Sequence, residues 1–274
     1  MAKHARIRLL TVNDIPLTMR LSSLAGWNQT ADDWGILLEL APRGCFCIDI
    51  HGEPVATATL LLYGRWLGWI GMVLTHPNHR RQGLARQLLE HVLVCADSLA
   101  IRTLKLDATD QGQSLYQSLG FKVEQAVERW SRPALAAPRR KVAGLSGELR
   151  NRPEIDMVAF EADRSELLAK LEHRGNCFAN ARGFLFTRPG RSSAYLGPCI
   201  ATEVEAADDL LLRALENPSV SQWSWDLLPR NCHAVALATK LGFTPQRRLT
   251  RMIRGADLRG FEDFVYAIAG FEFG

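Results

Sequence analysis

No apolar run in the 274 residues approaches the ~20 needed to span a bilayer. The basic start Met1-Ala2-Lys3-His4-Ala5-Arg6-Ile7-Arg8 is not followed by the apolar stretch and small-residue cleavage site of a secretory signal. A cytoplasmic protein with no membrane partner is therefore expected. Cysteine is sparse, and none of the residues at 45, 47, 95, 177, 199 and 232 forms the C-x-x-C spacing of zinc or dithiol chemistry. Most sit in apolar segments and read as reduced, buried, small hydrophobes. Neither G-x-x-x-x-G-K-[ST] nor G-x-G-x-x-G occurs, so an NTPase or a dinucleotide oxidoreductase has no support. The net charge is +4, with basic residues clustered at Arg80-Arg81 and Arg139-Arg140-Lys141 and otherwise mostly scattered, and no nucleic-acid partner is expected. His76 and His79 form a pair with no third ligand, and no metal is expected.

What remains is an ordinary soluble composition, 47% hydrophobic and 23% charged, in a chain long enough for two domains. Its most informative stretch runs from Val73 to Ala85, where an apolar strand enters a basic turn that contains Gly83 and opens an amphipathic helix. Leu84, Leu88, Leu89, Val92, Cys95, Ala96 and Leu99 recur at helical spacing behind that turn. The first turn of a helix has unpaired N–H groups and the positive end of the macrodipole, and Gly83 and Ala85 allow a phosphate to approach the backbone closely. The turn reads as an anion site.

About thirty residues later comes Leu115-Tyr116-Gln117-Ser118-Leu119-Gly120-Phe121. Arg80-x-x-Gly83-x-Ala85 followed at this distance by Tyr116-x-x-x-Gly120-Phe121 resembles the GNAT superfamily of acetyl-CoA-dependent N-acetyltransferases. Elements read from the sequence agree: a strand (6–11), helices (14–24 and 32–40), a hairpin (45–50 and 55–63), strands at 66–74 and 102–107, a helix at 112–119 and a strand at 121–130. Thr30 is a candidate N-cap, and Gly120 a helix stop. The segment 131–141, with two prolines and no periodicity, reads as a linker.

The second half repeats the first. Leu115 through Arg129 aligns without gaps on Leu237 through Arg251, and Gly71-Met72-Val73-Leu74 matches Gly197-Pro198-Cys199-Ile200. The copy differs at two places that matter: the phosphate turn is replaced by Ala201-Thr202-Glu203-Val204-Glu205, and Tyr116 by Ala238. Carboxylates repel a pyrophosphate, and alanine donates no proton. The expectation is an α/β (α+β) protein of two tandem GNAT-like domains, each a mixed, mostly antiparallel twisted sheet flanked by helices. A catalytic domain (1–132), a linker (133–147) and a degenerate domain (148–274) would bind one acetyl-CoA as co-substrate, in a monomer or weak dimer.

The resemblance implies that pantetheine pairs with the backbone of Met72, Val73 and Leu74, and that the turn Arg80, Arg81, Gln82, Gly83, Leu84, Ala85 and Arg86 holds the pyrophosphate. It implies Tyr116 as the general acid at the CoA sulfur. The general base is not legible: many family members place a glutamate on the strand before the phosphate turn, and Gly68-Trp69-Ile70-Gly71-Met72 has no carboxylate. Asp107 and Asp110 are candidates, beside solvent or capping roles. Trp27, Asn28, Gln29, Asp33 and Trp34 lie where GNAT enzymes cover the acceptor, and could equally be core anchors and first-turn helix charges. Trp223, Trp225 and Asp226 could complete the pocket or lie in the core. The expected reaction is acetyl transfer to a primary amine of a small molecule. A protein lysine or N-terminal acetyltransferase and a non-catalytic acetyl-CoA-responsive module are the alternatives.

Overall fold

In the computed structural model, which describes residues 5–133 and 152–274, the periodicities resolve into two similar series of elements. The first is β1 (Arg6–Leu9), α1 (Ile15–Leu24), α2 (Ala31–Leu40), β2 (Cys45–Ile50), β3 (Glu53–Tyr63), β4 (Leu67–Thr75), α3 (Leu84–Ser98), β5 (Thr103–Ala108), α4 (Asp110–Ser118) and β6 (Lys122–Pro133). The second is α5 (Arg152–Phe160), α6 (Ser165–Arg174), β7 (Asn176–Asn180), β8 (Gly183–Arg188), β9 (Ala194–Ala201), α7 (Val204–Leu215), β10 (Gln222–Leu227), α8 (Cys232–Lys240), β11 (Thr244–Gly255) and β12 (Val265–Ala267). From α5 to β11 the order repeats that from α1 to β6 without β1. Local signals explain several ends. Thr30 accepts from the Asp33 N–H and Asp33 bonds back to Thr30 N–H, a capping box at α2. Gly120 (φ +89°) and Gly242 (φ +79°) end α4 and α8 in the left-handed region, followed by Phe121 N–H to Tyr116 O and Phe243 N–H to Ala238 O.

The strands form one sheet in the order β1-β2-β3-β4-β5-β11-β6-β10-β9-β8-β7, with β12 on β9. Pairing is antiparallel except for β4 with β5 and β9 with β10. The sequence suggests two sheets; the structure fuses them by exchanging the last strand of each series. β11 enters between β5 and β6, and β6 lies against β10. This exchange also corrects part of the linker expectation: Ser131 to Pro133 continue β6 because they pair with β10, a partner that local composition cannot reveal. The rest of that segment, with the proposed domain boundary, lies outside the described residues.

A repeated ion pair marks the exchange. Asp107 on β5 faces Arg251 on β11, bound through both oxygens at 2.9 and 3.0 Å, while Asp226 on β10 faces Arg129 on β6 at 2.7 and 2.6 Å. Since Arg129 and Arg251 are equivalent in the repeat, each series supplies the aspartate for the other's arginine.

Helices cover both faces. Leu84, Leu88, Leu89 and Val92 of α3 pack with Leu60, Ile70, Leu104 and Leu106 on one side of the first series. On the other, Leu21 of α1 and Trp34 and Leu37 of α2 join Trp69 and Val127 of the sheet, and the same cluster takes in Leu168 and Leu171 of α6 and Phe184 of β8. Burial of these side chains stabilises by about 1.5–3 kcal/mol each, so this shared cluster ties the two series together. No helix among the described residues is long and apolar enough to cross a membrane.

Candidate active site

A cleft opens where β4 and β5 part. They pair in parallel only from Leu67–Thr103 to Trp69–Lys105, and beyond that the strands diverge. Just past the divergence the β3–β4 register gains a residue, Met72 takes a φ of +48°, and Thr57 Oγ1 donates to Met72 O at 2.7 Å. Such a bulge bends the strand and re-aims its backbone groups. The cleft, about 1160 Å³, is lined by Ile70 to Thr75 of β4, Leu106 and Asp107 of β5, and the turn before α3. It exceeds the 300–1,000 Å³ common for small-molecule sites, which leaves room for a large cofactor and a second substrate.

At the turn, Arg81 (φ +61°) and Gly83 (φ +81°) both hold left-handed backbone, and space around Gly83 is open. The Gln87 N–H makes the first helical bond, to Gly83 O at 3.0 Å, so the N–H groups of Leu84, Ala85 and Arg86 have no partner within the helix. The arrangement is that of an anion cradle. Arg80 is steadied by a bond from Nε to Thr75 O, Gln82 by one to Asn78 O, and Arg86 by Ser118 Oγ. His76 and His79 rings lie 5.8 Å apart, and burial with the neighbouring His79 lowers the His76 pKa. Among the described residues no third metal ligand joins them.

Tyr116 lines the same cleft from α4, buried against Phe121 with Gly112 beside its ring. Burial pushes its phenol above the ordinary range, so it holds its proton at neutral pH.

The other end of the cleft is built by the distant segment 268–274. Trp69 Nε1 donates to Phe271 O at 3.0 Å, and Tyr63 donates its hydroxyl to Phe273 O at 2.5 Å. A Cβ on Gly71 would lie 3.0 Å from Glu272 O and 3.2 Å from Glu272 Cα, so the missing side chain on β4 is what admits this segment. Glu272 lines the cleft at 3% exposure, with Oε1 on Arg188 Nη2 and Oε2 on Gln29 Nε2, each at 2.8 Å. Burial raises its pKa, and Arg188 opposes the shift without cancelling it. A carboxylate therefore does stand beside the strand that has none of its own. Its signal in the sequence is a single charge in the apolar, glycine-flanked run Gly270-Phe271-Glu272-Phe273-Gly274.

The acceptor-side residues chosen from sequence separate into groups. Trp27 and Gln29 line the cleft, Gln29 holding Glu272. Asn28 instead clamps the 191–193 loop: its amide oxygen accepts from the Ser192 and Ser193 N–H groups and its nitrogen donates to Ser193 O. Asp33 caps α2 and accepts from Arg188 Nε at 3.0 Å. Trp34 is fully buried, with Nε1 bonded to Ser22 Oγ, and Trp223 and Trp225 are core. The tryptophan- and amide-rich composition that suggested a pocket thus serves packing at Trp34 and inter-series docking at Asn28. The Asp107 carboxylate is shut off from solvent, with both oxygens committed to Arg251 in the strand-exchange ion pair. Asp226 is likewise held by Arg129. Asp110 stands exposed at the start of α4 on the rim.

The second series parts its strands in the same way. β9 and β10 pair only from Ala194–Trp223 to Leu196–Trp225. There β12 takes the opened edge: Val265 pairs with Ile200 and Ala267 with Cys199, while Trp225 Nε1 donates to Tyr266 O and Ile268 N–H to Asp226 O. At the start of α7, Glu203 stands where the first series has its glycine turn, 3.4 Å from Arg182.

Comparison with known proteins agrees with this doubled plan. Residues 16–121 match the model described as the Acetyltransferase (GNAT) family, and residues 153–267 match that of an Acetyltransferase (GNAT) domain. The uncharacterized N-acetyltransferase YitH of Bacillus subtilis (strain 168) is 29% identical over 161 residues, which are 56% of this chain. The match spans only about half of that relative, 55% of its length. The crystal structure of a candidate acetyltransferase from Pyrococcus horikoshii has a TM-score of 0.87 at 23% identity, covering 99% of this chain and 96% of its own. A tandem GNAT protein from the clavulanic acid biosynthesis pathway gives 0.66 at 16% identity, covering 93% and 99%. At these identities the structural likeness speaks to the fold.

Proposed function

Because this chain belongs to the acetyltransferase (GNAT) family, carries two of its domains in tandem and is an acyltransferase, we propose that it moves the acetyl group of acetyl-CoA to a primary amine of a small molecule. The observation that carries this reading is that Tyr116, Glu272 and the Gly83 turn all line one cleft. The residues fit the cofactor: the open N–H groups of Leu84, Ala85 and Arg86 suit a pyrophosphate, and the bulged backbone from Met72 to Leu74 suits an amide-bearing arm. Acetyl-CoA supplies the acetyl group and a sulfur leaving group.

The chain's own groups handle the protons. Glu272, whose carboxyl is pushed above its usual range by burial, takes a proton from the acceptor's ammonium and so provides the neutral amine. As nitrogen bonds to the acetyl carbon and the carbon–sulfur bond breaks, Tyr116 gives its proton to the departing sulfur; the second proton shed by the acetylated nitrogen restores the phenol, and Glu272 releases the first to solvent. Arg188 and Gln29 position Glu272. The small-molecule preference is supported by the acceptor end being bounded by Trp27, Gln29, Phe271 and Glu272, contributed by both series.

The test is release of CoA thiol from acetyl-CoA with pooled small amines and, separately, with lysine-bearing peptides. Release with the amines, lost in Tyr116→Phe, supports the proposal. Release with peptides alone would reassign the acceptor, and acetyl-CoA binding without release from any pool would favour a ligand-responsive module.

A further inference from the structure

Charge is unevenly compensated along the acceptor end of the cleft. Asp33, Arg188 and Glu272 form one buried cluster with two carboxylates on one guanidinium, which leaves a surplus negative charge at Glu272. Arg129 and Asp226 form a second cluster that is neutral. Arg247 is the third. It lies at a bulge of β11, where Pro245 faces Trp130 and Arg247 faces Arg129, so Gln246 is the extra residue and Arg247 is set beside Arg129 across the strands. The two guanidinium groups repel, and burial together with that repulsion lowers the Arg247 pKa. Asp226 is engaged by Arg129, and Asp110, the other nearby carboxylate, makes no ion pair with Arg247. Half-buried Arg247 lines the cleft and has no ion-pair partner among the described residues. Its neighbour Arg248 is exposed on the rim, 4.0 Å from Glu128. In the repeat, the position equivalent to Arg247 is the neutral Gln125.

One cavity therefore offers a surplus carboxylate and an uncompensated guanidinium. Desolvating an arginine without a counter-charge is unfavourable, and a planar, fork-shaped cation is suited to a two-oxygen anion. We infer that the acceptor is an amine carrying its own anionic group, a carboxylate or a phosphate, which Arg247 holds while the ammonium faces Glu272. This rests on the small-amine acetyl-transfer reading above. It makes Arg247 the residue that separates amino-acid-like acceptors from neutral amines of the same size.

The experiment uses matched probes with the full chain: glycine against glycinamide, β-alanine against β-alaninamide, and O-phosphoethanolamine against ethanolamine. CoA release is followed for the wild type and Arg247→Gln. In at least one pair the anionic member is expected to have the higher kcat/KM by about tenfold or more, and that pair identifies the anion. Arg247→Gln is expected to raise KM for the anionic member by a similar factor, erase the preference, and leave KM for acetyl-CoA in place. Equal kcat/KM within every pair, or a rise confined to KM for acetyl-CoA, would overturn the inference while leaving the transferase intact. Calorimetry on the protein–CoA complex distinguishes failure of the underlying reading. Binding of an anionic probe that Arg247→Gln abolishes, without turnover of any amine, would retain the anion subsite and reject small-amine transfer. Neither binding nor turnover would reject both.

Discussion

The two series part their central strands alike and use the opening differently. Between β4 and β5 the gap stays open as the cleft, whereas between β9 and β10 it is filled by β12, which hydrogen-bonds along the edge of β9. The contrast does not depend on Tyr116 or the glycine turn alone. A second series given back its arginines and glycine would still have its cleft occupied by its own backbone. The segment that closes one opening then runs on to Glu272 in the other, so the degenerate copy both blocks its own site and contributes to its partner's.

That comparison breaks most directly at Glu272. Glu272→Gln, which keeps a side chain for Arg188 and Gln29 to hold, is expected to lower kcat by about 10³-fold at neutral pH, within the range for loss of a general base. The sign of the pH dependence follows from the raised pKa. The base works deprotonated, so wild-type turnover falls as pH drops through a value above the ordinary ~4.3 of glutamate. Because that acid limb belongs to Glu272, it should vanish in Glu272→Gln. A variant that retained both turnover and limb would return the base to solvent.

Tyr116→Phe should cost on the order of 10²-fold in kcat with little change in acetyl-CoA affinity. Unchanged turnover would make Tyr116 a packing residue like its counterpart Ala238. A smaller effect is expected at Gly83, where left-handed backbone costs an alanine roughly 1–2 kcal/mol although no atom obstructs its Cβ. Gly83→Ala should therefore weaken acetyl-CoA about tenfold by titration and spare kcat at saturation. The smallest effect belongs to the second series. Glu203→Gln should alter neither turnover nor a stoichiometry of one acetyl-CoA per chain, and a second equivalent in calorimetry would show that β12 yields the gap.

Features set by neighbours in sequence were legible before the structure. The strand, glycine turn and helix around Gly83 form a continuous segment, as does the helix that presents Tyr116, so local periodicity and turn chemistry locate them. The proposed base was not legible because 202 residues separate Trp69 from the Phe271 carbonyl it bonds, and only the fold brings Glu272 to Gly71. Trp34 and Asn28 misled for the converse reason. Tryptophan and amide side chains have the same composition in a pocket, a core and a docking clamp, and only their partners, Ser22 for one and the 191–193 loop for the other, tell these apart. Strand exchange was hidden as well, since either β6 or β11 has a pattern that fits beside β5.

The exchanged strands also impose a schedule on synthesis. β5 is complete at residue 108, but its partner β11 begins at residue 244, so at about 5–20 residues per second roughly 7 to 30 seconds pass before that partner emerges from the ribosome. β6 emerges much sooner and presents a similar edge. The nascent chain must either leave the far edge of β5, opposite β4, open to other chains or release an early pairing with β6 once β11 arrives.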